Sequence, residues 1–252
     1  MIRGLGLLDD APDVLGTDSL EELLGASVSG DPCIDRTPLL AGETMLDQGQ
    51  TGSCVRHAVA RAIQIHARVH LDPSYALPSP RYLTAVTRAL LGPAWSWDGT
   101  TIGAVLEAAD YSGICRESDC PWSPDEDGQL YLDQAQIALD HRKVRGHRIA
   151  ADGERRIADL EAAWIVGAGI VVGTDVDARF GCWDSDAVWT QTGPREGGHA
   201  QAVIARRPGA WLLAGSYGPH WAAGGMIWVS DAQIASERTR SVWVLDTVPR
   251  WR

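Results

Sequence analysis

Hydrophobic and polar positions change rhythm once along this chain, near residue 146. Over SCVRHAVARAIQIHARVHL, apolar side chains recur at Val55, Val59, Ile63 and Ala67, near the period of a helix. Gly52 breaks the chain ahead of this run and Ser53 is the candidate cap, so a helix is predicted from about Cys54. SPRYLTAVTRALL predicts a second helix, with Ser79 as cap and Pro80 in its first turn. TTIGAVLEAADYSG predicts a third, opened by Thr100 or Thr101 and closed by Gly113. Residues 54–113 therefore read as helical. After Gly146 one more helix is predicted, over GERRIADLEAAWIVGAG, and then short strands: IVVGTDV, HAQAVIARR, AWLLAGS, GMIWVS and SVWVLDTV. Gly, Pro and Asp turns separate them, as in an antiparallel sheet.

This order predicts an α+β fold, a helical lobe followed by a β-rich lobe with a cleft between them. The expected division of a single domain is an irregular N-terminal arm over 1–32, a mainly helical lobe over 33–140 and a β-rich lobe over 141–252. The arm carries one short apolar stretch, SLEELLGA.

Composition narrows the partners. With 45% hydrophobic and 22% charged residues, the 252-residue chain is ordinary for a soluble globular protein. No apolar run is long enough for a membrane helix, and MIRGLGLLDDAPDVLG lacks the apolar core of a secretory signal. The expectation is a cytoplasmic or virion-associated protein with no membrane partner. A formal charge of −11 argues against nucleic acid, because phosphate binding needs a basic patch. Cys33, Cys54, Cys115, Cys120 and Cys182 are neither dense nor even in number, which predicts mostly free thiols in a reducing compartment. Lys143 is the lone lysine, an arginine bias that suggests a GC-rich bacterial or phage genome.

Candidate chemistry centres on a cysteine and a histidine. A nucleophilic thiol needs to be a thiolate at neutral pH, and a helix start and a nearby imidazolium both supply positive potential. Cys54 sits at a predicted helix start, and His199 follows Gly197 and Gly198 at the head of a strand. Such a pair divides acyl transfer into two steps through a thioester. Gln48, six positions ahead of Cys54, is a candidate side-chain donor to the developing oxyanion. Taken singly, a cysteine is more often a small core residue and a lone histidine more often structural.

The order of several segments adds to this. DQGQTGSCVRHA resembles the active-site segment of papain-like cysteine peptidases, and GGHAQAVIARR resembles the family's histidine strand. GSYGPHWAAGGMIWV resembles its asparagine segment, normally NSWGxxWGxxGY, and DGTTIGAVLEAADYSGICRESDCPW its helix leading to a G-v-c-x-E-s-x-x-P-Y turn. The resemblance runs from about Cys33 to Val229. It implies the papain two-lobe fold, with Cys54 as nucleophile, His199 as acid/base, and Gln48 with the Cys54 N–H as oxyanion donors. Gly99 falls where the family's backbone pairs with extended substrate, and Gly198, directly before the histidine, is likewise implied to bind substrate. Trp221 matches an aromatic lining the leaving-group side, against an equal expectation of lobe packing. Peptide or protein is the implied substrate, and no cofactor or metal is implied.

Three departures qualify the resemblance. Gly215 stands sixteen positions beyond His199, where the family has the asparagine that holds the histidine ring. Glycine has no side chain to do this, so activity is expected to be impaired, and Gly215→Asn is expected to raise it. Tyr217 replaces the tryptophan that covers the ring, and Val55 the tryptophan after the nucleophile. Only 47 residues precede Gln48, short for an inhibitory proregion. Three readings follow: a thiol endopeptidase, a degenerate papain-like module that binds without cutting (as in a phage particle, with other subunits as partners), or an amidase of cell-wall cross-links.

Other signals carry less. Cys115 and Cys120 lack a second ligand pair for a metal and predict two free thiols or one local disulfide. His57, one turn beyond Cys54, is expected to pack. Asp175 and Asp177 are expected to be solvated at a strand end. Eleven tryptophans against one phenylalanine predict an aromatic core in the β lobe or a binding surface.

Overall fold

The computed structural model describes residues 5–9, 28–92, 99–123, 138, 141 and 143–251. The SLEELLGA stretch lies outside them. Three helices stand where the periodicity places them: α1 (Cys54–His70), α2 (Pro80–Leu91) and α3 (Ile102–Ser112). Ser79 caps α2 by accepting from Tyr82 N–H, and Thr101 caps α3 by accepting from Ala104 N–H. Ser53 makes no such bond to α1; its hydroxyl pairs with Thr51 Oγ1 at 2.7 Å instead. The Gly52–Ser53 turn, not a side-chain cap, sets the start at Cys54.

α1 is the central element, buried on nearly all sides from Cys54 to Arg68. Its arginines enter the interior because acceptors meet them. Arg56 Nη1 donates to Gly52 O at 3.0 Å, Arg61 Nη1 to Gln64 Oε1 at 2.6 Å and Arg68 Nε to Tyr75 O at 2.9 Å. Burial lowers Arg56 and Arg61 to about 10, which leaves both charged at neutral pH.

The remaining elements are β1 (Arg145–Arg148), α4 (Gly153–Ile165), β2 (Gly169–Val176), β3 (Val188–Trp189), β4 (Gly197–Arg207), β5 (Ala210–Ala214), β6 (Met226–Ser230), α5 (Asp231–Ala235) and β7 (Thr239–Thr247). The strands form one sheet in the order β1-β7-β2-β4-β5-β6-β3, antiparallel except for β3 with β6. The hydrophobic pattern does not reveal β1 or β3. β1 is the polar tetrapeptide RGHR at the sheet edge, and β3 is two residues long.

The sheet separates two cores. On one face Val171, Ala200, Ala202 and Trp243 pack against Val59, Ile63 and Val105 of α1 and α3. On the other face Ile170, Val172 and Val203 pack against Leu160 and Trp164 of α4, with Phe180, Trp189 and Trp211. Alternation along β2 and β4 thus supplies both cores, and tryptophans fill the second, as one of the two sequence readings expects. Among the described residues, no helix is long and apolar enough to cross a membrane.

Candidate active site

Where α1 begins against β4, Cys54 and the head of the His199 strand meet. The Cys54 sulfur accepts the backbone N–H groups of Ala200, Gly6 and Val55. Cys54 and His199 both have no solvent exposure. Burial is the main influence on each. It raises the Cys54 thiol, against the pull of those N–H groups and of Arg56. It lowers His199 to about 3, helped by the charge of His57. Burial thus favours a thiol at Cys54 and a neutral ring at His199, against the thiolate–imidazolium pair expected from the sequence.

Aromatic rings surround His199. Tyr217 Oη lies 3.4 Å from His199 Nδ1, and the two ring centroids are 4.7 Å apart. Phe180 packs on His199 at 5.3 Å and on Trp221 at 5.1 Å. Among the described residues, His199 Nε2 has no hydrogen-bond partner. Trp221 covers Gly215: a Cβ on Gly215 would lie 2.4 Å from Trp221 Cζ3. An indole thus occupies the space that the asparagine of Gly215→Asn would need. Trp221 itself is buried and donates from Nε1 to Phe180 O at 2.9 Å. Continuing the Ala202–Ala214 register by one residue sets Gln201 opposite Gly215. The Gln201 amide is fully buried and unpartnered at both ends.

Gln48 is held in place ahead of α1. Its backbone N–H donates to Ser216 O at 2.8 Å, its Oε1 accepts from Ser216 Oγ at 2.5 Å, and its Nε2 donates to Thr51 O. The amide expected to serve an oxyanion is thus directed to Thr51 O here. Sequence reading gave Ser216 no part; its neighbour Tyr217 faces His199 while Ser216 anchors Gln48.

The largest departure from expectation is the N-terminal segment. Residues 5–9 lie extended across Cys54. Leu7 N–H donates to Gly198 O at 3.2 Å, Leu8 N–H to Thr100 O at 2.9 Å, and Thr100 N–H to Gly6 O at 2.8 Å. Leu7 and Thr100 form a parallel bridge. Gly99 and Gly198, the positions expected to meet extended substrate, meet the chain's own backbone. A Cβ on Gly99 would lie 2.5 Å from Gly6 O, one on Gly198 2.8 Å from Leu7 O, and one on Gly6 1.9 Å from Gly52 O. Side chains at these positions would exclude the segment. Leu7 is buried between β2 and α3, where a Cβ on Gly173 would lie 2.6 Å from Leu7 Cδ2 and 3.4 Å from Ile102 Cδ1. The only sequence signal for this was the Leu-Gly-Leu-Leu run itself.

His57 packs, as expected: Nδ1 lies 2.9 Å from Ser53 O, and the ring stands edge-on to Trp122 at 4.6 Å. Burial lowers it to about 4. Asp175 and Asp177 are not solvated, contrary to expectation. Arg195 and Arg240 pair with Asp175, and Asp177 accepts from Arg179 and the N–H groups of Thr192 and Gly193. None of the five cysteines is in a disulfide, and Cys115 and Cys120 are in side-chain contact. Among the described residues no cluster of three or more His, Cys, Asp or Glu side chains forms a metal site.

A central helix opening on a cysteine, docked against an antiparallel sheet that carries a histidine, is the papain-like fold. Solved structures share it over nearly the whole chain. Xylellain, a cysteine protease from Xylella fastidiosa, superposes with a TM-score of 0.79 at 22% identity, covering 98% of both chains. The digestive procathepsin L2 proteinase from Tenebrio molitor larval midgut gives 0.76 at 19%, covering 97% of this chain and 78% of that one. A Carica candamarcensis cysteine protease in complex with E-64 gives 0.65 at 17%, covering 87% and 98%. No family model and no curated protein sequence matches the chain.

Proposed function

We propose that the protein is a thiol peptidase held closed by its own N-terminal segment. The observation that carries this reading is the strand addition of Leu7 and Leu8 to Gly198 and Thr100 over Cys54, because a cleft that binds an extended chain by its backbone is built for peptide. The fold shared with cysteine proteases supports it.

Displacing the segment returns water to Cys54 and removes the burial that raises its thiol. The Cys54 thiol then passes its proton to His199, the thiolate attacks the peptide carbonyl carbon, and the oxyanion is met by the Cys54 N–H and by Gln48 once its amide leaves Thr51 O. His199 gives its proton to the departing amine. Water, deprotonated by His199, hydrolyses the thioester and restores the thiol. The Tyr217 hydroxyl and ring position the imidazole in place of an asparagine.

Comparing wild-type chain with Leu7→Asp tests this reading. An aspartate in the hollow at Gly173 disfavours docking of the segment, so hydrolysis of unstructured peptides should rise at least tenfold, as a rough expectation, and vanish when Cys54→Ala is added. A folded Leu7→Asp chain with no Cys54-dependent hydrolysis would refute it and favour the binding-module reading.

A further inference from the structure

A cavity of about 410 Å³ is lined by Asp175, Gln191, Arg195, Glu237, Arg238 and Arg240 among others. Three guanidinium groups face two carboxylates there, an excess of one positive charge in a chain whose formal charge is −11. Asp175 is not available as an anion. Its Oδ1 takes Arg195 Nε at 2.7 Å, and its Oδ2 takes Arg240 Nε at 3.1 Å and Nη2 at 3.0 Å. It fixes two guanidinium groups at the cavity wall while both side chains stay partly open to solvent. Arg238 is fixed separately, by Nη1 to Gln191 O at 2.5 Å.

The backbone directs this charge. Thr174 pairs with Thr239 while Gly173 pairs with Ser241, so Arg240 is the extra residue of a β-bulge, a device that re-aims a side chain. Gly173 and Asp175 lie on one face of β2, two residues apart. Leu7 rests on Gly173. In the extended segment Asp9 is the next residue on the side of Leu7, and its charge acts on Arg240. The segment therefore places an apolar side chain in the hollow and, two residues on, an acid whose charge reaches Arg240.

We propose that this cavity is an acid-binding subsite of the cleft, selecting peptides with Asp or Glu two residues from the apolar side chain seated at Gly173. The inference rests on the peptide-binding reading of the cleft. An arginine fork fixed by a buried carboxylate is preorganised to receive a second carboxylate, and the acidic remainder of the surface repels such a chain elsewhere.

Binding without cleavage tests it. In the Leu7→Asp/Cys54→Ala chain, fluorescence anisotropy compares labelled peptides that carry Asp or Asn two residues before or after a central leucine. In one of the two positions the Asp peptide should bind about tenfold more tightly than its Asn counterpart. The preference should shrink at high salt, and it should fall to about twofold or less with Arg240→Gln. Arg238→Gln leaves both partners of Asp175 in place and should also reduce it, which guards against misfolding of the first variant. Equal binding of Asp and Asn peptides, or a preference untouched by both substitutions, would overturn the subsite. Acid-selective binding with no hydrolysis by the corresponding Cys54 chain would instead leave the subsite standing and overturn the peptidase.

Discussion

The Tyr217 hydroxyl stands 3.4 Å from His199 Nδ1, and its ring lies against the imidazole at 38°. This is a long hydrogen bond added to a ring contact, so the ring should carry more of the positioning than the hydroxyl. Tyr217→Phe keeps the ring. In the Leu7→Asp chain it should lower kcat for peptide hydrolysis by about two- to tenfold with KM little changed. Tyr217→Ala also opens a cavity beside Phe180 and should cost about 3 kcal/mol or more of stability in denaturant unfolding.

Gly215 has lost the room for the side chain it lacks. Gly215→Ala should destabilise the fold by about 1–3 kcal/mol, since its Cβ meets the Trp221 ring at 2.4 Å. Trp221→Leu in the same chain should recover part of that loss. The test is a double-mutant cycle by urea unfolding, in which strictly additive costs would show that the two residues do not collide.

Gln201 brings an unpaired amide into the apolar face of β4. Gln201→Leu, of similar volume, should raise stability by about 1 kcal/mol, seen as a higher urea midpoint at unchanged m. A fall in the midpoint would mean that the amide has a partner in solution.

Acid should weaken the fold above the range where exposed carboxylates titrate. Burial lowers His57 and His66 to about 4 and His199 to about 3, from 6.5. Their contribution is complete above 6.5 and is lost as pH falls toward those values, because the unfolded chain binds the protons. Burial raises Glu117 from 4.5 to about 7, so its contribution runs the other way, present below 4.5 and lost as pH rises through about 7. Three imidazoles outweigh one carboxyl, a difference of two protons. Unfolding free energy should fall by roughly 2 kcal/mol between pH 6 and pH 5. Replacing His66 by Gln should make that slope shallower.

The central fold was legible because α1, α2, α3 and the five longer strands each announce themselves locally, by period, cap or turn. The site was legible in part. Cys54 and His199 sit at element starts, which sequence marks well. Their protonation was misjudged because Cys54 is covered by residues 5–9, remote in sequence and too short to show a period, and His199 by the Phe180 and Tyr217 rings. Tyr217 was read as a lost tryptophan, since its hydroxyl acts only through a cross-strand neighbour. Asp175 was read as solvated because its partners, Arg195 and Arg240, lie on other segments, one of them aimed by a bulge that no local pattern reveals.

The measurement that bears most directly on the closed-peptidase account is the alkylation of Cys54 by an epoxide thiol inhibitor at pH 6, followed by peptide mapping. In the wild-type chain Cys54 is sealed and its thiol raised, so the exposed Cys33 and Cys182 should label no more slowly than Cys54. In Leu7→Asp, Cys54 should become the fastest of the five by at least about tenfold, and His199→Ala should abolish that advantage. Slow Cys54 labelling in a folded Leu7→Asp chain, or rapid labelling that persists without His199, would contradict the account.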